Sequence, residues 1–425
     1  MVTSGPRNRP HEPDDADVLI VGAGPVGLAA AVTLRRRGAP VRIVDAAPQG
    51  ATTSRAAVIH ARTLEVLSTI GMAETIVGEG VVVPDFTVRD GARTLARLDF
   101  RPLRTPYPFT LMLSQARTEE LLRSALAELG TEVEREVEFD TFVRAAEGEA
   151  EVAVLRHAGG TTEHVAARFV IGADGSRSRV RQERGIAFLG SEYSASFVLA
   201  DVALTWSLPA DEVQLFLAKQ GLVVVAPLPG GRHRIVATMD DAPAHPSAAD
   251  VQRILDERGP GGANVESLLW GSRFRVAHRL AATYRDGGVF LAGDAAHIHS
   301  PAGGQGMNLG IQDAVLLGGL LADALGGEGG ADALTRYERL RRPAARRVIT
   351  LTDRMTRMAT LRGPILRGLR DGAIRALLSS PRRRTALARR IAQLDACGSV
   401  SLIPAHPTLE NYGTASRMRT SAEPC

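Results

Sequence analysis

Six residues, Gly22-Ala23-Gly24-Pro25-Val26-Gly27, constrain this chain more than any other stretch. They follow Val18 to Val21, a short apolar run of the kind a buried parallel strand shows. After them, Leu28 to Arg37 is rich in helix formers, carries arginines in its last turn and stops at Gly38, where a C-cap glycine belongs. Val41 to Val44 reads as a second strand and ends on Asp45. The order strand, tight turn, helix, strand, acid is that of a dinucleotide-binding βαβ unit. Gly22 permits the turn, Gly24 lets the backbone approach a pyrophosphate, and Gly27 lets the helix lie close to the sheet. A pyrophosphate would sit on the free N–H groups of the helix end, and Asp45 would accept hydrogen bonds from an adenosine ribose. Gly22, Gly24, Pro25, Val26, Gly27 and Asp45 are therefore cofactor-binding candidates.

A chain of 425 residues with 44% apolar content fills two or three cores. Residues 1–16, with Gly5, Pro6, Pro10 and Pro13, read as a loose tail without the apolar core of a secretory signal. No window of eighteen or more uninterrupted apolar residues occurs, so no membrane span is expected. The net charge is +4 and Lys219 is the only lysine; aromatics make up 4% of the chain, too few to interleave the arginine clusters for nucleic-acid binding. Two cysteines, Cys397 and Cys425, form no metal or redox motif and fit a reducing cytoplasm.

Further along, strands are expected at residues 81–83, 86–91, 132–134, 150–155 and 165–171, and a helix at 115–126 that Gly130 stops. Residues 191–239 are strand-rich, with Gly230-Gly231 as a hairpin turn, and read as an antiparallel sheet interrupting the nucleotide-binding unit. A helix follows at 249–258, then a Gly/Pro linker at 259–262 and a return strand at 288–292. Helices at 307–325, 331–360 and 364–394 complete the pattern.

Two more glycine-acid elements stand out. Gly172-Ala173-Asp174-Gly175 follows the strand Phe169-Val170-Ile171, and by itself reads first as a plain turn. Gly293-Asp294-Ala295-Ala296-His297 continues to Pro301-Ala302-Gly303-Gly304-Gln305-Gly306-Met307-Asn308. With all three motifs in order, residues 17–395 resemble the single-component FAD-dependent aromatic hydroxylases, the group of para-hydroxybenzoate hydroxylase, and most nearly the actinobacterial aromatic polyketide hydroxylases. The resemblance implies an α/β fold: a Rossmann-like FAD-binding domain (17–75, 110–180, 280–360) with an interleaved antiparallel-sheet substrate domain (76–109, 190–279). Residues 361–425 would be C-terminal helices and tail, without the thioredoxin-like domain of larger members.

The resemblance also implies FAD as cofactor and NADPH or NADH as transient reductant, with O2 adding at flavin C4a and the hydroperoxide's distal oxygen passing to an aromatic small-molecule substrate. Asp174 would contact flavin ribose or pyrophosphate, and Asp294 the ribityl chain. Gly293, Pro301, Gly304, Gln305, Gly306, Met307 and Asn308 would form the loop at the isoalloxazine. Arg55 and Gln115 match further flavin contacts, although Gln115 also reads as an ordinary first-turn helix residue. Substrate-lining candidates on the interrupting sheet are Phe197, Phe216, Leu222, Val224 and Pro227. His297 and His299 lack a third ligand for a metal. No residue announces itself as a catalytic base. A polyketide hydroxylase is expected, cytoplasmic, monomeric or homodimeric, with no nucleic-acid partner. The alternatives are a Baeyer–Villiger-type or rearranging oxygenase, or a flavin-binding partner protein that does not turn over.

Overall fold

The computed structural model describes residues 16–51, 56–143, 150–327, 331–359, 361 and 363–395. Strands β1 (Ala16–Val21) and β2 (Val41–Asp45) flank helix α1 (Pro25–Arg36), and β3 (Val58–Ile59), α2 (Ala61–Ser68), α3 (Ala73–Glu79) and β4 (Val81–Val83) follow. Next come β5 (Asp85–Asp90), β6 (Arg93–Asp99), β7 (Thr110–Met112), α4 (Gln115–Glu128), β8 (Val133–Arg135), β9 (Val137–Val143), β10 (Glu151–His157) and β11 (Thr162–Gly172). After α5 (Arg179–Glu183) the chain runs through β12 (Phe188–Thr205), β13 (Glu212–Ala218), β14 (Gly221–Leu228), β15 (Arg232–Met239), α6 (Ala248–Arg258) and β16 (Asn264–Ala281). It closes with β17 (Arg285–Asp286), β18 (Val289–Leu291), β19 (His297–Ile298), α7 (Gly306–Leu325), α8 (Ala331–Ala359), α9 (Pro364–Leu378) and α10 (Pro381–Ile391).

One eight-stranded sheet carries the nucleotide-binding unit, in the order β17-β18-β11-β1-β2-β8 with β10 and β9 attached through β11. β1 lies parallel to both β2 and β11, and β11 parallel to β18, so three chain segments far apart in sequence end side by side. Crevices at the carboxyl ends of such strands are where open α/β sheets bind ligands. The second eight-stranded sheet, β19-β16-β12-β15-β14-β13-β5-β6, is antiparallel except where β13 runs parallel to β5. A small sheet, β3-β7-β4, sits between them in sequence and in packing.

The sequence predicts neither β6, β9 nor β16. The omission of β16 matters most, because this strand pairs with β12 along its length, with bulges, and at its far end with β19. Its charged residues, among them Arg273 and Arg279, break the apolar alternation by which a strand is recognised in sequence. The stretch 364–394 is two helices, since Pro381 lacks the N–H needed to continue one helix and opens α10 instead. Helix α7 is long and apolar enough to cross a membrane by length and hydropathy, yet 67% of its apolar window is buried within the fold. It packs on α1 and α8 as a core helix.

Glycine sets how closely α1 approaches the sheet. A Cβ on Gly27 would stand 1.9 Å from the Gly22 carbonyl oxygen, and one on Gly22, at φ 101, would stand 2.4 Å from that of Ala173. Gly27→Ala is expected to destabilise the protein by about 1–3 kcal/mol through overpacking, read as a lowered urea midpoint with unchanged m-value.

Candidate active site

The three glycine-acid motifs meet in space. The turn after β1 touches the turn after β11 through Gly22 and Ala173, while the Val26 side chain fills a notch between Gly293 and Gly310; a Cβ on those glycines would lie 2.7 and 2.6 Å from Val26 Cγ2. Val26 and Pro25 thus serve packing and helix initiation. At Gly24 the space around a notional Cβ is open to 4 Å, so the start of α1 presents bare backbone. Asp45 accepts hydrogen bonds from Ala23 N at 2.6 Å and Ala47 N at 2.8 Å, and Arg135 stands 3.6 Å away. Gln115 donates from Nε2 to the buried Glu119, whose other oxygen receives Ala51 N–H. Burial raises the Glu119 pKa. Arg55 lies outside the described residues.

Asp174 accepts Val180 N–H through Oδ2 at 3.1 Å, while Oδ1 is shielded from solvent and has no hydrogen-bond partner among the described residues. Burial raises its pKa. Asp294 is exposed on a short 3-10 turn, Gly293–Ala295, that follows β18. This turn is braced from below by Asp313 of α7, which is fully buried and ion-paired to Arg341 of α8 at 2.5 Å and hydrogen-bonded to His297 at 2.6 Å. Burial opposes the Asp313 charge, but Arg341 and His297 outweigh it and hold the carboxyl below its usual range. His297 is thus a scaffold residue.

The loop before α7 is built from inward-facing carbonyls. Gly303 O accepts from His60 Nε2 at 2.7 Å and from Gln305 Nε2 at 2.9 Å, and Gly304 O from Asn308 Nδ2 at 2.8 Å. Asn308 also donates to Val58 O and accepts His60 N–H. The side chains of Gln305 and Asn308 are buried in these contacts, so only their backbones remain for a ligand. All described peptides are trans, so the N–H following each inward carbonyl points the other way. The first-turn N–H groups of Gln305 to Asn308 have no intrahelical acceptor and form an electropositive helix end.

Beside this loop lies an apolar wall. Val58, under Gly304, joins Ala57, Val83, Met112, Val213, Val224, Ala226 and Leu228 in one cluster. Among the substrate candidates, Val224 is in that cluster, and Leu222 is in the adjoining one with Leu217 and Ile374 of α9. Phe197 stacks on Phe274 with ring centroids 5.3 Å apart. Phe216 is corrected: it points to the opposite face of the sheet, fully buried with Val223 and Val251 under α6. Strand alternation puts Pro227 on the Phe216 face as well, because Ala226 and Leu228 face the loop. His60, Arg135, Glu119, Asp313 and Arg341 escaped the sequence reading. Only His60 carried a signal, as a histidine between an apolar strand and an amphipathic helix.

The sequence profile of the family described as FAD binding domain matches residues 15–352. This chain belongs to that family. It is 41% identical over 362 residues to the 6-methylpretetramide 4-monooxygenase of Streptomyces rimosus, covering 84% of this chain and 64% of that protein. It is 37% identical to the pentachlorophenol 4-monooxygenase of Sphingobium chlorophenolicum, covering 82% and 66%. The chain therefore spans about two thirds of these relatives' lengths. The solved anhydrotetracycline hydroxylase of Streptomyces rimosus superposes with TM-score 0.75 at 34% identity, over 90% of this chain and 76% of that one.

The residues present fit FAD. Bare backbone at Gly24 suits a pyrophosphate, and Asp174 Oδ1, without a partner among the described residues, is an acceptor suited to a hydroxyl donor beside it. Asp174→Ala and Asp294→Ala are each expected to weaken FAD binding about 10- to 100-fold, the value of one charge-assisted hydrogen bond, measured by flavin fluorescence titration of the apoprotein. Burial holds His60 neutral, with a pKa of about 4 against 6.5. Between those values the unfolded chain binds a proton that the folded protein refuses, so stability falls as pH drops through this window, by about 3 kcal/mol at full shift. Replacing His60 with Gln is expected to make that part of a pH series of urea midpoints less steep, with His299, which burial holds at about 4 as well, supplying the remaining slope.

Proposed function

We propose that this FAD binding domain protein is an NAD(P)H-reduced monooxygenase that hydroxylates an aromatic polyketide or a related polycyclic phenol. The observation that carries the reading is the juxtaposition of the α7 helix end, with its outward N–H donors, and the apolar wall of Val58, Val213, Val224 and Leu228. An electropositive loop beside an extended apolar surface suits a negatively charged cofactor edge next to a flat, apolar substrate. The names of the relatives, a pretetramide and a phenol monooxygenase among them, support the same substrate class.

FAD, when bound, would take a hydride from the nicotinamide nucleotide and supply one oxygen atom of O2 to an electron-rich aromatic carbon. In this arrangement, Gly22, Gly24 and the first turn of α1 would hold the pyrophosphate. Asp45 would hold the adenosine ribose, and Asp174 and Asp294 the remaining hydroxyls. The backbone donors of Gln305 to Met307 would stabilise negative charge on the ring, and Pro301 and Gly304 would shape the loop. The wall of β13 and β14 would exclude water and orient the substrate.

Incubation with 18O2, NADPH or NADH, and a panel of tetracyclic and angucyclic polyketides is expected to give a product carrying one labelled oxygen on a ring carbon. A labelled ester oxygen would instead identify Baeyer–Villiger chemistry. Reduction of neither flavin nor O2 with any substrate would favour the partner-protein alternative. Val224→Trp is expected to raise KM about tenfold or more by blocking the wall while leaving FAD affinity unchanged. Phe216→Ala is expected to lower stability by about 3–5 kcal/mol without that change in KM.

A further inference from the structure

The loop before α7 is held from behind by a segment outside all three glycine-acid motifs. After α10 the chain turns through Ala392 and Gln393, and Gln393 adopts φ 59, a left-handed conformation that costs a non-glycine residue about 1–2 kcal/mol. Such a conformation persists where the surroundings over-determine it. Gln393 is buried; its Nε2 donates to Gln305 Oε1 at 2.6 Å, and its Oε1 accepts from Gln312 Nε2. Gln312 also donates to Thr63 of α2. With Oε1 fixed by Gln393, the Gln305 amide turns its Nε2 to Gly303 O at 2.9 Å and Ile391 O at 3.1 Å. Arg62 N–H reaches Ala392 O at 3.2 Å, tying the same turn to α2.

We propose that the segment Ile391–Gln393 is a clasp that sets the direction of the flavin-facing loop, with Gln393 as its positioning residue. The proposal rests on the reading that residues 301–308 face the flavin ring. Without the Gln393 amide, Gln305 Oε1 is left buried without its donor, and the amide loses what orients it toward Gly303. Gly303 and Gly304, at φ 79 and 64, are then the residues best able to resample their conformation. The donors from Gln305 to Met307 lose a fixed aim. Donors aimed at developing negative charge favour the reduced, anionic ring over the oxidised one, so a slackened loop makes the flavin harder to reduce.

The test uses the full chain with Gln393→Leu, which keeps volume and removes the amide, and Gln393→Gly, which also relieves the left-handed backbone. Leu394→Ala, which disturbs only apolar packing, is the control. Three quantities are measured: amide hydrogen exchange of residues 302–308 in the flavin-free protein, FAD affinity by titration, and the midpoint potential of the bound flavin. Both Gln393 variants are expected to exchange about tenfold faster in the loop, to bind FAD about tenfold more weakly and to show a more negative potential. Leu394→Ala is expected to lower the thermal midpoint and leave the potential unchanged. Wild-type loop exchange and potential in both Gln393 variants would overturn the clasp, as would an equal shift of potential in Leu394→Ala. Wild-type protein that takes up no FAD would overturn the functional reading instead, and the exchange rates of the flavin-free proteins would still decide the clasp.

Discussion

The packing of Val26 into the glycine notch formed by Gly293 and Gly310 is the contact on which the rest of the arrangement depends. It brings the first turn of α1, the turn after β18 and the body of α7 within van der Waals reach of one side chain. A methyl group on either glycine would overlap Val26, so the three cannot approach this closely with any other residue at those positions. A similar close approach recurs along the same helix pair, where a Cβ on Gly318 would stand 2.9 Å from Thr33 Cβ. Helices packed on bare backbone leave little room for relative sliding, and the site inherits that rigidity.

Below this contact, charge takes over from shape. Asp313 is fully buried, and removing either partner would strand a charge in the core. The pair therefore locks α8 to α7 directly under the turn that carries Asp294, while His297 closes the same carboxylate from the β19 side. Tyr284 stacks on His297, and Tyr337 donates to Leu291 O, so the end of β18 is fixed from several directions. His297 is tied to the buried Asp313, and His299 Nδ1 donates to Ser300 O.

Two kinds of surface converge at the loop before α7. On one side, inward carbonyls leave a helix end rich in donors; on the other, β13 and β14 offer aliphatic side chains with no charge among those in the cluster. An ionised group and an apolar ring system have opposite solvation demands, and Val58, which lies against Gly304, belongs to the apolar cluster beside those donors. The clasp at Gln393 adds a third element, reaching the loop from the far end of the described chain.

The sequence by itself determined the βαβ unit at 17–45, the two later glycine-acid turns and the apolar helix after residue 306, because each depends on local chemistry: a glycine that must turn, a strand that must be buried, a helix that must cap. It also placed strands in the interrupting sheet, where alternation is legible over short spans. What it could not decide was which face of those strands looks at the site. Phe216 and Val224 lie in equally apolar strands, yet the pairing of β13 with β14 sends one beneath α6 and the other toward Gly304. The half-polar β16 and the role of Gln393 were illegible for the same reason. A charged strand and a glutamine after a helix have no distinctive local pattern, and their meaning comes from β12 and from Gln305, partners 59 or more residues away that only the tertiary fold brings into contact.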